Sequence, residues 1–170
     1  MKLRKEKMRK TINSLDIESS GFQGYPIQVG VIKESGEKYE ALIKPHEEWL
    51  TDLEWNYNAQ QTHGLELEHV IKAGEEILKV AKDLNEMLRN EDVFVDSAYD
   101  VMWLDLLFEF AEIQRTFHIF VLEKIMPKDF MDHWDFIFYR VMKEGNFKRH
   151  NALCDAIMNQ RTFERIAAHF

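Results

Sequence analysis

The period of the apolar residues changes once along this chain, and that change limits the folds open to it more than any other feature. Ile12 to Glu18 reads as a short strand, the turn-rich Ser19-Ser20-Gly21 follows, and Ile27, Val29 and Val31 then alternate around Gly30. Tyr39, Ala41 and Ile43 alternate with Glu40, Leu42 and Lys44 before Pro45, and Gly36 between the two runs predicts an antiparallel hairpin or meander. From Glu68 to Arg89 the spacing turns helical. Val70, Ile77, Ala81, Leu84 and Leu88 share one helical face and predict a single long helix.

Val93-Phe94-Val95 is a brief apolar run suited to a buried strand, and Asp100 to Ala111 predicts a helix with Met102, Leu106 and Phe110 on one side. Phe117 to Leu122 reads as one more strand. Trp134, Ile137, Phe138, Val141 and Met142 outline a helix that stops near Gly145-Asn146, and a last helix begins at about Asn151. Three strands followed by alternating helix and strand indicate an α/β fold, a mixed sheet with helices packed on it. At 170 residues the chain fits one core, and 7 Gly with 3 Pro in a 45% hydrophobic composition is far from a disordered one.

The formal charge of −8 argues against coating nucleic acid by bulk attraction, though not against an enzyme that acts on it. Residues 1–10 form a basic leader, with Lys2, Arg4, Lys5, Lys7, Arg9 and Lys10 against Glu6 alone, so the acidity belongs to the domain of residues 11–170. Cys154 is the sole cysteine, which excludes an internal disulfide and a Cys-rich zinc site. Thr11, Asn13, Ser14, Asp16 and Glu18 interrupt any apolar segment after the leader, and no run reaches the roughly 18 apolar residues of a membrane span. The expectation is a soluble, cytoplasmic protein that does not engage a membrane.

Three acidic elements carry the chemistry. Asp16 and Glu18 lie two apart on a strand, which points both carboxylates to one face, an arrangement favoured when a divalent cation sits between them. A solvated surface pair is the competing reading. Asp96-Ser97-Ala98-Tyr99-Asp100 follows the Val93–Val95 strand, at the strand end where α/β proteins gather ligands; alternatively, Asp96 or Ser97 merely caps the helix. In His150-Asn151-Ala152-Leu153-Cys154-Asp155-Ala156, five residues turn an ideal helix by about 140°, so His150 meets Asp155 only from the preceding loop. Leu153 and Ala156 would then face the core.

Taken in this order, the elements resemble the DEDDh family of 3′-to-5′ exonucleases, whose three motifs correspond to Asp16–Phe22, Asp96–Asp100 and His150–Ala156, with Thr62-His63-Gly64-Leu65 where the family carries a His-Gly-Ile turn. The resemblance runs from Leu15 to Ala156. Asp96 stands where the family usually has Asn, Ser19-Ser20 where it has Thr-Thr or similar, and Asn13 and Ser14 where apolar residues are commoner; none of these removes a metal ligand. Asp105, five residues beyond Asp100, points elsewhere and reads as structural.

The resemblance implies a ribonuclease H-like mixed five-stranded sheet flanked by helices, and a two-metal hydrolysis of phosphodiester bonds with two Mg²⁺ or Mn²⁺ ions. It implies that Asp16 bridges both ions, that Glu18 and Asp155 bind one and Asp100 the other, and that His150 is the general base. Phe22 would stack on a terminal base of a single-stranded RNA or DNA 3′ end. His63 and Tyr99 are further substrate-binding candidates, with core packing the competing reading and, for Tyr99, the preferred one. Lys143, Lys148 and Arg149 would reach backbone phosphates or simply form a solvated face. Several relatives are dimeric, so the resemblance also allows a homodimer. The reading from another class is a nucleic-acid- or partner-binding module on the same fold.

Overall fold

The computed structural model describes residues 9–170, so most of the basic leader lies outside the described residues. Strands β1 (Asn13–Ser19), β2 (Pro26–Ile32) and β3 (Lys38–Leu42) open the chain. Helices α1 (Glu47–Asp52), α2 (Tyr57–His63), α3 (Leu67–Ala73) and α4 (Ile77–Met87) lead to β4 (Asp92–Val95), and α5 (Ala98–Phe110) connects it to β5 (His118–Val121). Helices α6 (Leu122–Ile125), α7 (Lys128–Met131), α8 (Trp134–Gly145) and α9 (Ala152–Ala167) follow. The five strands form one sheet in the order β3-β2-β1-β4-β5. The β1–β2 and β2–β3 pairs are antiparallel, and β4 and β5 join by parallel pairing.

The sheet is covered on both faces. Leu15 and Ile17 of β1, Val29 and Val31 of β2, and Val93 and Val95 of β4 pack with Leu84 of α4 and Leu104 and Leu107 of α5. On the opposite face Ile12 and Phe94 pack with Phe163 and Ile166 of α9 and with Phe130 and Trp134. The period of two sorts the residues: odd positions of β1 meet α4 and α5, and even positions, Ser14, Asp16 and Glu18, turn toward α9. Because β1 is central, its polar start must be satisfied internally. Asn13 Nδ2 donates to the Asp92 carbonyl at 3.0 Å, and Asn13 Oδ1 accepts from the Glu34 amide at 2.9 Å. Arg9, within the described end of the leader, ion-pairs with Asp92 at the start of β4, the end of the sheet away from Asp96.

Three expectations need correction. The helix expected from Glu68 to Arg89 is two helices, because Gly74-Glu75-Glu76 is extended. Glu75 accepts from the Lys44 amide at 2.9 Å and donates to the Leu42 carbonyl at 2.8 Å, prolonging the β3 edge. A methyl group on Gly74 would lie 2.5 Å from the Lys44 nitrogen, so only glycine lets the chains approach this closely. On α5, the Met102, Leu106, Phe110 side is not the core side; Trp103, Leu104, Leu107 and Phe108 are buried and Met102 is exposed. That helix is apolar nearly all round, so spacing alone does not choose a face. On α9, Ala156 is buried as expected, but Ala152 takes the core position and Leu153 is only half-buried.

Candidate metal and nucleic-acid site

The cleft is made where β1 and β4 end and α9 begins. Asp16 pairs with Gly30 across β1–β2, and α9 rests on that glycine: a methyl there would lie 2.1 Å from the Leu153 nitrogen. The start of α9 is clamped in place. Asn151 caps it by accepting from the Cys154 amide at 2.9 Å and donates to Glu40 at 2.9 Å, while Gln28 accepts from the Ala152 amide at 3.1 Å and donates to Glu40 at 3.0 Å. His150, just before the cap, adopts a left-handed φ of 60°, and its backbone N–H donates to Asp155 Oδ2 at 3.1 Å. The loop geometry thereby brings His150 and Asp155 to one point. Asp100 is set by Ile17, whose amide donates to Asp100 Oδ1 at 3.1 Å.

Two groups of ligand atoms result. One atom each from Glu18, His150 and Asp155 lies within 4.8 Å of the others, and the same holds for Asp16, Asp96 and Asp100. The five residues singled out for chemistry converge, and Asp96 joins them. Asp96 is expected from the sequence only as a departure from the family pattern or as a helix cap. The cap is instead Ser97, whose Oγ accepts from the Tyr99 amide at 3.0 Å. Asp105 lies apart, paired with Arg115 at 2.6 Å.

The electrostatics are those of a cleft short of positive charge. Burial, then the charges of Asp100, Asp96, Asp155 and Glu18, push Asp16 well above the usual carboxylate range. Burial, then Asp96, does the same for Asp100. Burial, with Asp155 adding to it, lifts Glu18 to about 8, and burial lifts Asp155 to about 6 although the His150 amide and Arg149 oppose it. Arg149 is the nearest cation, its Nε 4.0 Å from Asp155 Oδ1, a buried oxygen that accepts no hydrogen bond. Burial and Arg149 hold His150 below its ordinary value, so its imidazole is neutral near pH 7. Hard oxygen donors, a buried orphan oxygen and mutual repulsion fit divalent cations such as Mg²⁺ or Mn²⁺.

Aromatic groups border the carboxylates. The Ser19–Gly24 turn is held by Ser20, whose hydroxyl accepts from the Tyr25 amide at 3.0 Å and donates to the Glu54 carbonyl at 2.8 Å. That turn pushes Phe22 outward to 73% exposure. Tyr99 is 47% exposed, which corrects the core-packing reading; its ring stands 5.2 Å from Phe22 and 5.7 Å from Trp103. His63 is buried against Trp55, 6.2 Å between rings, and burial together with nearby His150 lowers it to about 4. Its Nδ1 accepts from the Leu65 amide, which leaves the proton of the neutral ring on Nε2, an atom with no partner. His63, Phe22, Trp103 and His150 line a pocket of about 480 Å³ beside the carboxylates. Of the basic cluster only Arg149 borders the carboxylate pocket itself. Lys143 lies over Tyr139 instead.

The fold is ribonuclease H-like. No family model and no curated protein matches the sequence. Among solved structures, Escherichia coli exonuclease I in complex with a dA16 oligonucleotide superposes with a TM-score of 0.67 at 12% identity, over 95% of this chain and 43% of that one. Pop2p of S. pombe, in its Mg²⁺- and Mn²⁺-bound form, gives a TM-score of 0.68 at 14% identity over 94% and 84%. Exonuclease I from Methylocaldum szegediense gives 0.62 at 13% identity over 91% and 40%. The chain thus spans less than half the length of the exonuclease I chains it resembles. Among the described residues no helix is long and apolar enough to cross a membrane.

Proposed function

We propose that this protein is a divalent-cation-dependent 3′-to-5′ exonuclease that removes nucleoside 5′-monophosphates from single-stranded or short RNA or DNA. One observation carries the reading: Asp16, Glu18, Asp100, His150 and Asp155, separated by up to 139 positions, line a single pocket. The fold shared with oligonucleotide-bound exonuclease I and with Mg²⁺- and Mn²⁺-bound Pop2p supports it.

Glu18 and Asp155 would hold one cation and Asp16 and Asp100 a second. Bound divalent cations supply charge neutralisation at the phosphate and acidify water. His150, kept neutral, receives the proton of the attacking water, and its position beside Glu18 and Asp155 puts it within reach of a water held there. Phe22, braced by Tyr99, stacks on the terminal base, and His63 lines the pocket that would take the same nucleotide.

The test is a gel assay with 3′- and 5′-end-labelled RNA and DNA oligomers in Mn²⁺, Mg²⁺ or EDTA. Stepwise shortening from the 3′ end that needs metal, and that is lost in Asp16→Asn and strongly slowed in His150→Ala, is expected. Undiminished cleavage by Asp16→Asn would sink the proposal, and binding without cleavage by the folded wild type would favour a binding module.

A further inference from the structure

We infer that the outward face of α8 is a track for the nucleic-acid strand on the 5′ side of the bond being cut, each step built from an aromatic ring with a cation over it. The inference rests on the nuclease reading of the cleft and goes beyond it by assigning a binding surface outside the carboxylates and the terminal-nucleotide pocket.

Continuity with the cleft supplies the first argument. The pocket of Phe22 and His63 and the pocket of the carboxylates share Ile17, Glu18, Phe22, Trp103 and His150, so the two adjoin. Beyond that shared wall the carboxylate pocket is lined by Ser97, by four aspartates, and by Phe138 of α8 with Arg149. Aspartates repel a phosphate and an arginine attracts it. A strand whose terminal nucleotide fills the first pocket, and whose last phosphodiester lies at the carboxylates, therefore leaves past Phe138 and Arg149.

The second argument is the pairing of rings with cations along α8. Arg149 lies over Phe138, 5.0 Å from the ring centre. Tyr139, about 100° further round the helix, carries Lys143 at 5.4 Å, and Phe136 carries Arg140 at 6.0 Å. Trp134 and Val141 are the buried side of α8, so Tyr139 and Phe136 face outward, 56% and 66% exposed. A single strand presents a flat base and an anionic phosphate at every nucleotide, which a ring and a cation bind without regard to sequence. Arg140 is already held by Glu144 at 3.4 Å, and Glu144 also holds Arg165 at 2.6 Å. Lys143 enters no ion pair among the described residues, so the first steps out of the cleft are Phe138 with Arg149 and then Tyr139 with Lys143.

The experiment compares a dinucleotide with an octanucleotide, as RNA and as DNA, for wild type, Tyr139→Ala, Tyr139→Phe and Lys143→Gln. Values of kcat and KM are measured in Mn²⁺, and binding of the 5′-labelled octanucleotide is followed by fluorescence anisotropy in EDTA. A dinucleotide has a single phosphodiester, which the reaction places at the carboxylates, so it ends short of Tyr139. Tyr139→Ala should raise KM for the octanucleotide about fivefold or more, with kcat, the dinucleotide KM and the melting temperature unchanged, and Tyr139→Phe should restore the wild-type value. Lys143→Gln should make the octanucleotide KM less dependent on salt, lowering the log–log slope by about 0.7. An unchanged octanucleotide KM in both Tyr139→Ala and Lys143→Gln would overturn the inference, leave the nuclease reading standing and assign these rings to a protein partner. An equal loss on both substrates would also overturn it, because the change would then act through the cleft. If the wild type cleaves neither substrate, the nuclease reading fails and the anisotropy decides the track: octanucleotide binding that Tyr139→Ala weakens upholds it, and binding that is absent or unaffected overturns it as well.

Discussion

Replacing Glu18 by Gln isolates what charge costs the metal-free cleft. Burial, with Asp155 adding to it, lifts Glu18 from its ordinary 4.5 to about 8. Between those values the folded chain keeps a proton that the unfolded chain releases. The associated stability is therefore fully present below about pH 4.5 and is lost as the pH climbs to about 8. At about 1.4 kcal/mol per pH unit, the interval is worth roughly 5 kcal/mol as a ceiling. Glu18 is half-buried and titrates together with Asp155, so solvent screening and coupling bring the expected value down to about 2 kcal/mol. For a chain of this size that is about 4–8 °C. In EDTA, Glu18→Gln should match wild type near pH 5 and melt higher by that amount near pH 8. Saturating Mn²⁺ should reverse the order, because the wild type binds the ion more tightly. An equal difference between the two proteins at both pH values would refute the electrostatic account of the cleft.

Gly30→Ala drives a methyl into the backbone of α9, so it should abolish cleavage while lowering stability by about 1–3 kcal/mol, read by the labelled-oligomer assay beside urea unfolding. Phe22→Ala, at an exposed position, should leave the melting temperature unchanged and raise KM about fivefold or more, since stacking on a base is worth about 1–3 kcal/mol. Leu84→Ala, in the core between α4 and the sheet, should cost about 2–5 kcal/mol in urea unfolding and leave the kinetics of the folded fraction intact.

The strands were legible because alternation is a direct image of the pleat: Ile27, Val29 and Val31 are all buried, and β4 and β5 fall where short apolar runs predict them. The stop of α8 was equally plain, since Asn146 takes the left-handed conformation that ends a helix there. Helices α1 and α2 escaped notice because each is under two full turns and carries little periodicity. The Asn56 side chain, which accepts from the Asn58 and Ala59 amides, was the local signal for the second. The break at Gly74 is a tertiary matter, decided by an edge strand about thirty residues earlier. The closeness of Asp96 to Asp16 and Asp100 is likewise tertiary, since Asp16 comes from a strand some eighty residues earlier. For Tyr99, a substrate-binding candidate for which core packing is the preferred competing reading, the structure instead gives an exposed ring beside Phe22.

The position of α9 on Gly30 has a consequence for how the site comes into being. Asp16 and Glu18 belong to a strand that pairs locally with β2, but His150 and Asp155 reach them only when a segment more than 130 residues away docks on the finished sheet. Loop closure over that distance makes this contact slow to form, and the repulsion among the carboxylates makes it reluctant. A cation shared across the cleft would act as a cross-link between the sheet layer and the helix layer. Undocking of α9 would carry His150 and Asp155 away from Asp16 and Glu18 without unfolding the sheet, so a partly assembled chain would keep its acidic strand end without the groups that the proposed reaction needs.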